Sequence, residues 1–174
     1  MPAGQLSMRA VARAAGISAP AVYLHFADRD QLLAAAVSES WDQLARSLEH
    51  AARRTGSQPA LERLIAQLRA YLRYALRSPT RYELLFGSSN RLLEAVPFDQ
   101  SPTTGVATVI VEAVRACERE GLRADGTSAE ALALHIQTLV HGRIALAYAT
   151  PVRFGTDAGA IAFIESGVRS LFAA

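Results

Sequence analysis

Ser7-Met-Arg-Ala-Val-Ala-Arg-Ala-Ala-Gly16-Ile-Ser18-Ala-Pro-Ala-Val-Tyr-Leu-His-Phe-Ala-Asp28-Arg-Asp-Gln-Leu-Leu33 carries the densest local signals of the sequence. It divides at Gly16-Ile17 into two short helical segments, Ser7 to Ala15 and Ser18 to Leu24. Glycine adopts the left-handed conformation that ends a helix, and a serine hydroxyl caps the next one. Ala12 precedes Gly16 by four residues, and both are small where two helices must cross closely, so the spacing predicts a tight helix-turn-helix with Val11, Ile17 and Val22 filling its corner. Tyr23, His25 and Arg29 then place a hydroxyl, an imidazole and a guanidinium at the end of the second helix and the start of the third. Such donors suit phosphate oxygens, as do helix amino ends capped by Ser7 and Ser18. On geometry alone a plain αα-hairpin reads the same way. In that reading Tyr23 and Phe26 close a small core, His25 is a solvated surface residue, and Arg29 pairs with Asp28 or Asp30.

Outward from this stretch the pattern stays helical. Asp28 to Arg54 opens on a capping aspartate and sets Leu33, Val37, Trp41, Leu44, Leu48 and Ala51 on one stripe at three- and four-residue steps. After the breaker Thr55-Gly56-Ser57-Gln58-Pro59, the residues from Leu61 to Leu76 repeat that period until Ser78-Pro79. A shorter helix is expected from Arg81 to Gly87, then an irregular stretch from Ser88 to Gln100. Ser101 and Pro102 read as the cap and first position of a helix that Gly121 ends. Two more are expected from Ser128 to Ala149 and from Asp157 to Phe172, the last with a seam of Ile161, Ile164, Val168 and Leu171. Nothing reads as a strand, so the fold class is all-α.

The chain has 174 residues, of which 51% are hydrophobic and 20% charged, with a formal charge of +2. A chain of this size buries roughly 70% of its unfolded surface and needs neither metal nor disulfide to hold a core. One cysteine, Cys117, leaves no room for a disulfide framework and makes the cytoplasm the default compartment. No apolar run reaches the ~18 residues of a membrane span, so no membrane partner is expected. All 18 basic residues are arginine, and the small net charge is too weak by itself to argue for nucleic acid. Enzyme readings fare poorly. His135 and His141 are six apart and do not share a helix face at the spacing used for zinc. No lysine exists for a phosphate loop, and Glu118 and Glu120 beside Arg115, Arg119 and Arg123 read as a solvated face. Neither cofactor, metal nor catalytic residues are expected.

The Ala-Ala-Gly-Ile-Ser turn, the Val-Tyr-x-His-Phe run and Asp-Arg-Asp-x-Leu-Leu together closely resemble the TetR/AcrR family of transcriptional regulators. The resemblance implies that Ala19, Pro20 and Ala21 lie on a recognition helix in the major groove and that Ser7, Tyr23, His25 and Arg29 hold phosphates. Ser18, Ala19, Pro20 and Ala21 carry few donors for base edges, so readout is expected to lean on thymine methyl groups and DNA shape. Family members have a further helix before the one that starts at Ser7. Six residues precede Ser7 here, too few for it, so the first helix is expected to be missing, and Val11, Ala15, Val22 and Phe26 to lack an apolar partner. Arg81-Tyr-Glu-Leu-Leu-Phe-Gly87 and Leu139-Val-His-Gly-Arg143 resemble the paired motifs of the WHG-type subgroup, with Gln137 where its tryptophan is expected.

In that family the larger body dimerises through its last two helices and holds a small-molecule inducer between the others. The residues here allow both. Trp41, Tyr71, Tyr74, Phe86, Thr138, His141 and Tyr148, with His135, mix aromatic walls and polar groups suited to a ligand, though most serve equally well in a core. Gly142, Ala145, Ala149, Ala162 and Gly167, with Leu171, are small or apolar residues on the last two helices, suited either to a two-fold interface or to close packing within one subunit. The expectation is a helix-turn-helix domain over residues 1–40 and a helical ligand-binding and dimerisation domain over residues 41–174. The function expected is a ligand-responsive repressor that binds double-stranded operator DNA as a homodimer. The alternative is a small-molecule-binding and dimerisation module that does not bind DNA for want of its first helix.

Overall fold

The structure is a computed structural model that describes residues 7–86, 103–122, 126–150 and 157–172. Among these residues the chain forms eight helices and no strand: α1 (Met8–Ala15), α2 (Ala19–Tyr23), α3 (Arg29–Arg54), α4 (Ala60–Arg77), α5 (Pro79–Phe86), α6 (Thr104–Arg119), α7 (Ala129–Ala149) and α8 (Asp157–Leu171). The expectations for Ser88 to Gln100, and for Ser101 and Pro102 as the start of α6, lie outside the described residues. Pro79 both ends α4 and opens α5. A proline suits that first position, where its missing N–H has no helical partner to lose.

Local chemistry fixes most helix starts. The side chains of Ser7, Ser18, Asp28 and Ser128 accept hydrogen bonds from the backbone N–H groups of Ala10, Ala21, Gln31 and Ala131. Each satisfies a donor that the first helical turn leaves open. Gln31 reaches back to accept the Ala27 N–H at 3.0 Å, so the entry to α3 is closed from both sides. α4 departs from this rule, because Pro59 has no side-chain acceptor for its first turn. The Glu120 carboxylate fills that role from sixty residues away, accepting the Ala60 N–H at 2.7 Å and standing 3.8 Å from Arg63. The reading of Glu120 as a solvated face is corrected accordingly: it caps α4 from the end of α6.

The body is built around α4, which packs on α3, α6, α7 and α8. Its inward stripe of Leu64, Leu68, Tyr71, Leu72 and Ala75 meets Trp41, Leu44 and Leu48 of α3, Ile110, Val114 and Cys117 of α6, Ile136, Val140 and Ile144 of α7, and Ile164 and Val168 of α8. Each fully buried aliphatic side chain here contributes about 1.5–3 kcal/mol. A second, small cluster lies at the amino end, where Met8, Ala12 and Val22 are buried beneath Ala19, Phe26 and Leu32. The division between the two clusters falls within α3, between Leu32 and Val37, and the helix runs through it without a break.

Candidate nucleic-acid interface and effector pocket

The corner of α1 and α2 rests on Gly16, whose φ of +69° lies in the left-handed region. Its N–H donates to the Arg13 carbonyl, and the next N–H, of Ile17, donates to the Ala12 carbonyl at 3.0 Å. This satisfies the last carbonyls of α1 and turns the chain into Ser18. The corner is filled differently from the sequence expectation. Val22 is buried and Val11 half-buried, but Ile17 is 50% exposed, and Met8 takes the inner place. Met8 stands one turn before Ala12 on the same face of α1, whereas Ile17 belongs to the turn and points away from the crossing. Ala15 is exposed, and Phe26 is half-buried.

The donors expected at DNA sit at the surface of this unit. Ser7, Ser18, Pro20, Tyr23 and His25 are exposed; Ala19, Ala21 and Arg29 are half-buried. Tyr23 closes α2 with 54% of its surface in solvent, and Leu24 beside it is 85% exposed. α2 therefore presents short side chains and a phenol on its outer side, with a hydroxyl-capped amino end.

Beside the middle of α3 the structure gathers aromatic rings around Phe86. Its ring centroid lies 4.9 Å from Trp41, 6.4 Å from Tyr71, 4.9 Å from Tyr82 and 4.7 Å from His141. Tyr82 lies 5.2 Å from Tyr148, and its hydroxyl is 3.0 Å from Nδ1 of His141. Burial pushes the Tyr82 phenol up to about 12 and holds the His141 imidazole below its ordinary value, so the pair meets as neutral groups at pH 7. The Tyr71 phenol is pushed up further by its deeper burial. Tyr148 donates to the Ala75 carbonyl. Beside the cluster a cavity of about 240 Å³ is bounded by Pro79, Tyr82, Glu83, Phe86, Ala145 and Tyr148. Trp41 Nε1 is buried in this region without a hydrogen-bond acceptor among the described residues. A buried donor in that state favours an acceptor brought to it.

Five of the seven pocket candidates are thus brought together: Trp41, Tyr71, Phe86, His141 and Tyr148. Tyr74 and Thr138 are not. Tyr74 stacks on none of these rings; its hydroxyl donates to the Ser40 carbonyl of α3 at 3.0 Å. Thr138 is exposed and donates to the Leu134 carbonyl one turn back, and His135 is exposed on the same helix. Tyr82 was missed as a candidate, although it stands four residues before Phe86 and therefore on the same helical face. Among the described residues no cluster of three or more His, Cys, Asp or Glu could hold a metal ion.

α7 is apolar on both sides. Ile136, Val140 and Ile144 face the core, while Leu134 and Leu146 are 61% and 47% exposed; on α8 Phe163 is 53% exposed. Gly142, Ala145, Ala149 and Ala162 are exposed on these two helices. Gly167 is used differently, since a Cβ placed there would stand 2.8 Å from Leu139 Cδ2; its smallness lets α8 approach α7 within the chain. Leu171 packs against the core cluster.

A helix-turn-helix unit carried on a long helix, which continues into a helical body with an aromatic-lined cavity, defines the class of two-part helix-turn-helix regulatory proteins. The chain belongs to the TetR family. Residues 3–36 match the family described as bacterial regulatory proteins, tetR family, and residues 64–171 match the tetracyclin repressor-like C-terminal domain. It is 35% identical over 111 residues to the HTH-type transcriptional regulators Rv1816 of Mycobacterium tuberculosis and Mb1846 of Mycobacterium bovis, matching 64% of this chain and 46% of each relative. The matched region thus spans about half the length of those curated relatives. Among solved structures, a protein of unknown function from Rhodococcus sp. RHA1 superposes with a TM-score of 0.75 at 26% identity, covering 96% of this chain and 85% of that one. A bacterial regulatory protein of the tetR family from Rhodococcus RHA1 gives 0.73 at 20% identity, covering 99% and 89%, and shares the fold.

Proposed function

We propose that this TetR-family chain is a ligand-responsive repressor that binds double-stranded operator DNA as a homodimer in the cytoplasm. The observation that carries the reading is the continuity of α3. Its first turn seals the helix-turn-helix unit through Leu32, and nine residues on Trp41 packs edge-on against Phe86 beside the aromatic cavity. A small molecule that displaces Phe86 or engages Trp41 Nε1 bears directly on the helix that carries the reader. Ser7, Ser18, Tyr23, His25 and Arg29 would hold phosphates while Ala19, Pro20 and Ala21 face the groove floor. The reader would comprise residues 1–40 and the sensor and dimerisation body residues 41–174.

The exposed apolar side of α7 and α8 supports the homodimer. Gly142, Ala145, Ala149 and Ala162 would allow close approach, with Leu134, Leu146 and Phe163 supplying buried area. Two readers would then meet successive major grooves about one DNA turn apart. The inducer would favour a dimer whose readers no longer match that spacing, to an extent set by its differential affinity for the two states. Among the described residues no helix is long and apolar enough to cross a membrane.

The test is fluorescence anisotropy of the purified chain with duplex from its own upstream intergenic region, at two salt concentrations and beside a scrambled duplex. Salt-sensitive binding that prefers the native duplex is expected. A folded dimer that binds neither duplex overturns the operator reading and leaves a ligand-binding module.

A further inference from the structure

The face of α3 and α4 turned away from the aromatic cluster carries a second open groove, of about 560 Å³, that shares no lining residue with the first. Two helical stripes make it. Ser47, His50, Ala51 and Arg54 stand at steps of three and one on α3; Ala66, Arg69, Ala70, Arg73 and Arg77 follow the same periodicity on α4. Half-buried alanines form the floor and the longer side chains form the rim. The lining holds four arginines and a histidine and no carboxylate.

This charge is not evenly spread over the body. The chain balances 18 basic residues against 16 acidic ones, and six arginines of the described body, Arg46, Arg53, Arg63, Arg69, Arg115 and Arg169, meet a carboxylate within 4.0 Å. Of the rim, only Arg69 is so paired, with Glu165 at 2.6 Å. Arg54, Arg73 and Arg77 are exposed and enter no ion pair among the described residues, although they converge on one groove. Guanidinium groups match phosphate and carboxylate oxygens in a planar, two-point fashion. The groove has the size of a small-ligand site.

We infer that this groove binds a multiply charged anion of metabolite size, phosphorylated or polycarboxylic, through Arg54, Arg73 and Arg77. DNA is not the occupant. His50 lies 21 residues beyond Arg29 on a continuous helix, about 32 Å from the reader at 1.5 Å per residue. The inference stands apart from the operator and inducer readings, since it concerns neither the helix-turn-helix nor the aromatic cavity.

Isothermal titration of the full chain with pyrophosphate and, separately, with citrate tests it, at ionic strength held constant with sodium chloride. Binding of one anion per chain is expected for at least one probe, and which probe binds assigns the phosphorylated or the polycarboxylic class. The R73Q/R77Q double variant should weaken it tenfold or more, and R73K/R77K, which keeps the charge, should retain more of the affinity than the glutamine variant. Circular dichroism melts of both variants establish that they fold. No heat beyond that of the matched salt for either probe, or equal affinity in the folded glutamine variant, overturns the assignment.

Discussion

Replacing Tyr82 by phenylalanine isolates one polar contact in the aromatic cluster. The substitution keeps a ring where Tyr82 now meets Phe86, His141 and Tyr148 at 4.9, 5.6 and 5.2 Å, and removes only the hydroxyl that lies 3.0 Å from His141 Nδ1. A hydrogen bond of this kind contributes about 1 kcal/mol net, within a range of roughly 0.5–1.5. For a chain of this length that corresponds to a fall of about 2–4 °C in Tm. Urea denaturation at pH 8 of wild type, Tyr82→Phe, His141→Phe and the double variant should give a coupling energy of about 1 kcal/mol. The pH dependence follows from the same burial. His141 is held below its ordinary value of 6.5 in the folded chain, so the unfolded chain binds the proton more readily. The stability this group contributes is complete above about pH 6.5 and is lost as the pH falls through and below that value; His141→Phe should remove that part of the slope. A coupling energy near zero at pH 8, or an identical acid slope in the His141 variant, would refute the neutral Tyr82–His141 pair.

Three further outcomes are expected. Tyr23→Ala should weaken binding to native and scrambled duplexes alike, by about five- to tenfold for one lost phosphate hydrogen bond, and an unchanged anisotropy curve removes Tyr23 from the contact surface. Gly142→Ala meets open space and gains about 1 kcal/mol of helix propensity, yet should weaken dimerisation in sedimentation equilibrium; Gly167→Ala, 2.8 Å from Leu139, should lack that gain in urea denaturation, and unaltered self-association of the Gly142 variant takes that residue out of the interface. The Cys117 thiol is fully buried and pushed up to about 11, so iodoacetamide at pH 8 should modify it only as fast as the chain opens; complete reaction of the native protein within minutes would contradict the burial.

How far this structure could be read from its sequence differs by element. The inward stripes of α3 and α8 and the capped starts at Ser7, Ser18, Asp28 and Ser128 depend on neighbours within one or two turns, and so they were legible. The corner of α1 and α2 was legible in outline only. Gly16 announces the turn, but which apolar residue fills it depends on the angle at which the two helices cross, and this chose Met8 over Ile17. The aromatic cluster was half legible. Trp41, Tyr71, Phe86, His141 and Tyr148 lie on four different helices, and the composition of a pocket says nothing about which rings converge, so Tyr82 went unnoticed while Tyr74 and Thr138 face elsewhere.

Periodicity, capping and turn chemistry are local interactions, and they made legible that this chain is all-helical, where most of its helices begin, and that its amino end turns tightly between two short helices; the likeness to the TetR family lay in the residue motifs of that stretch. Contacts between distant segments were decided only by the tertiary structure. Glu120 caps a helix sixty residues earlier in the chain, Gly167 makes room for Leu139, and Arg54 of α3 lines one groove with Arg73 and Arg77 of α4. None of these has a local signature, because each depends on the rotation and separation of packed helices, which the whole core sets at once.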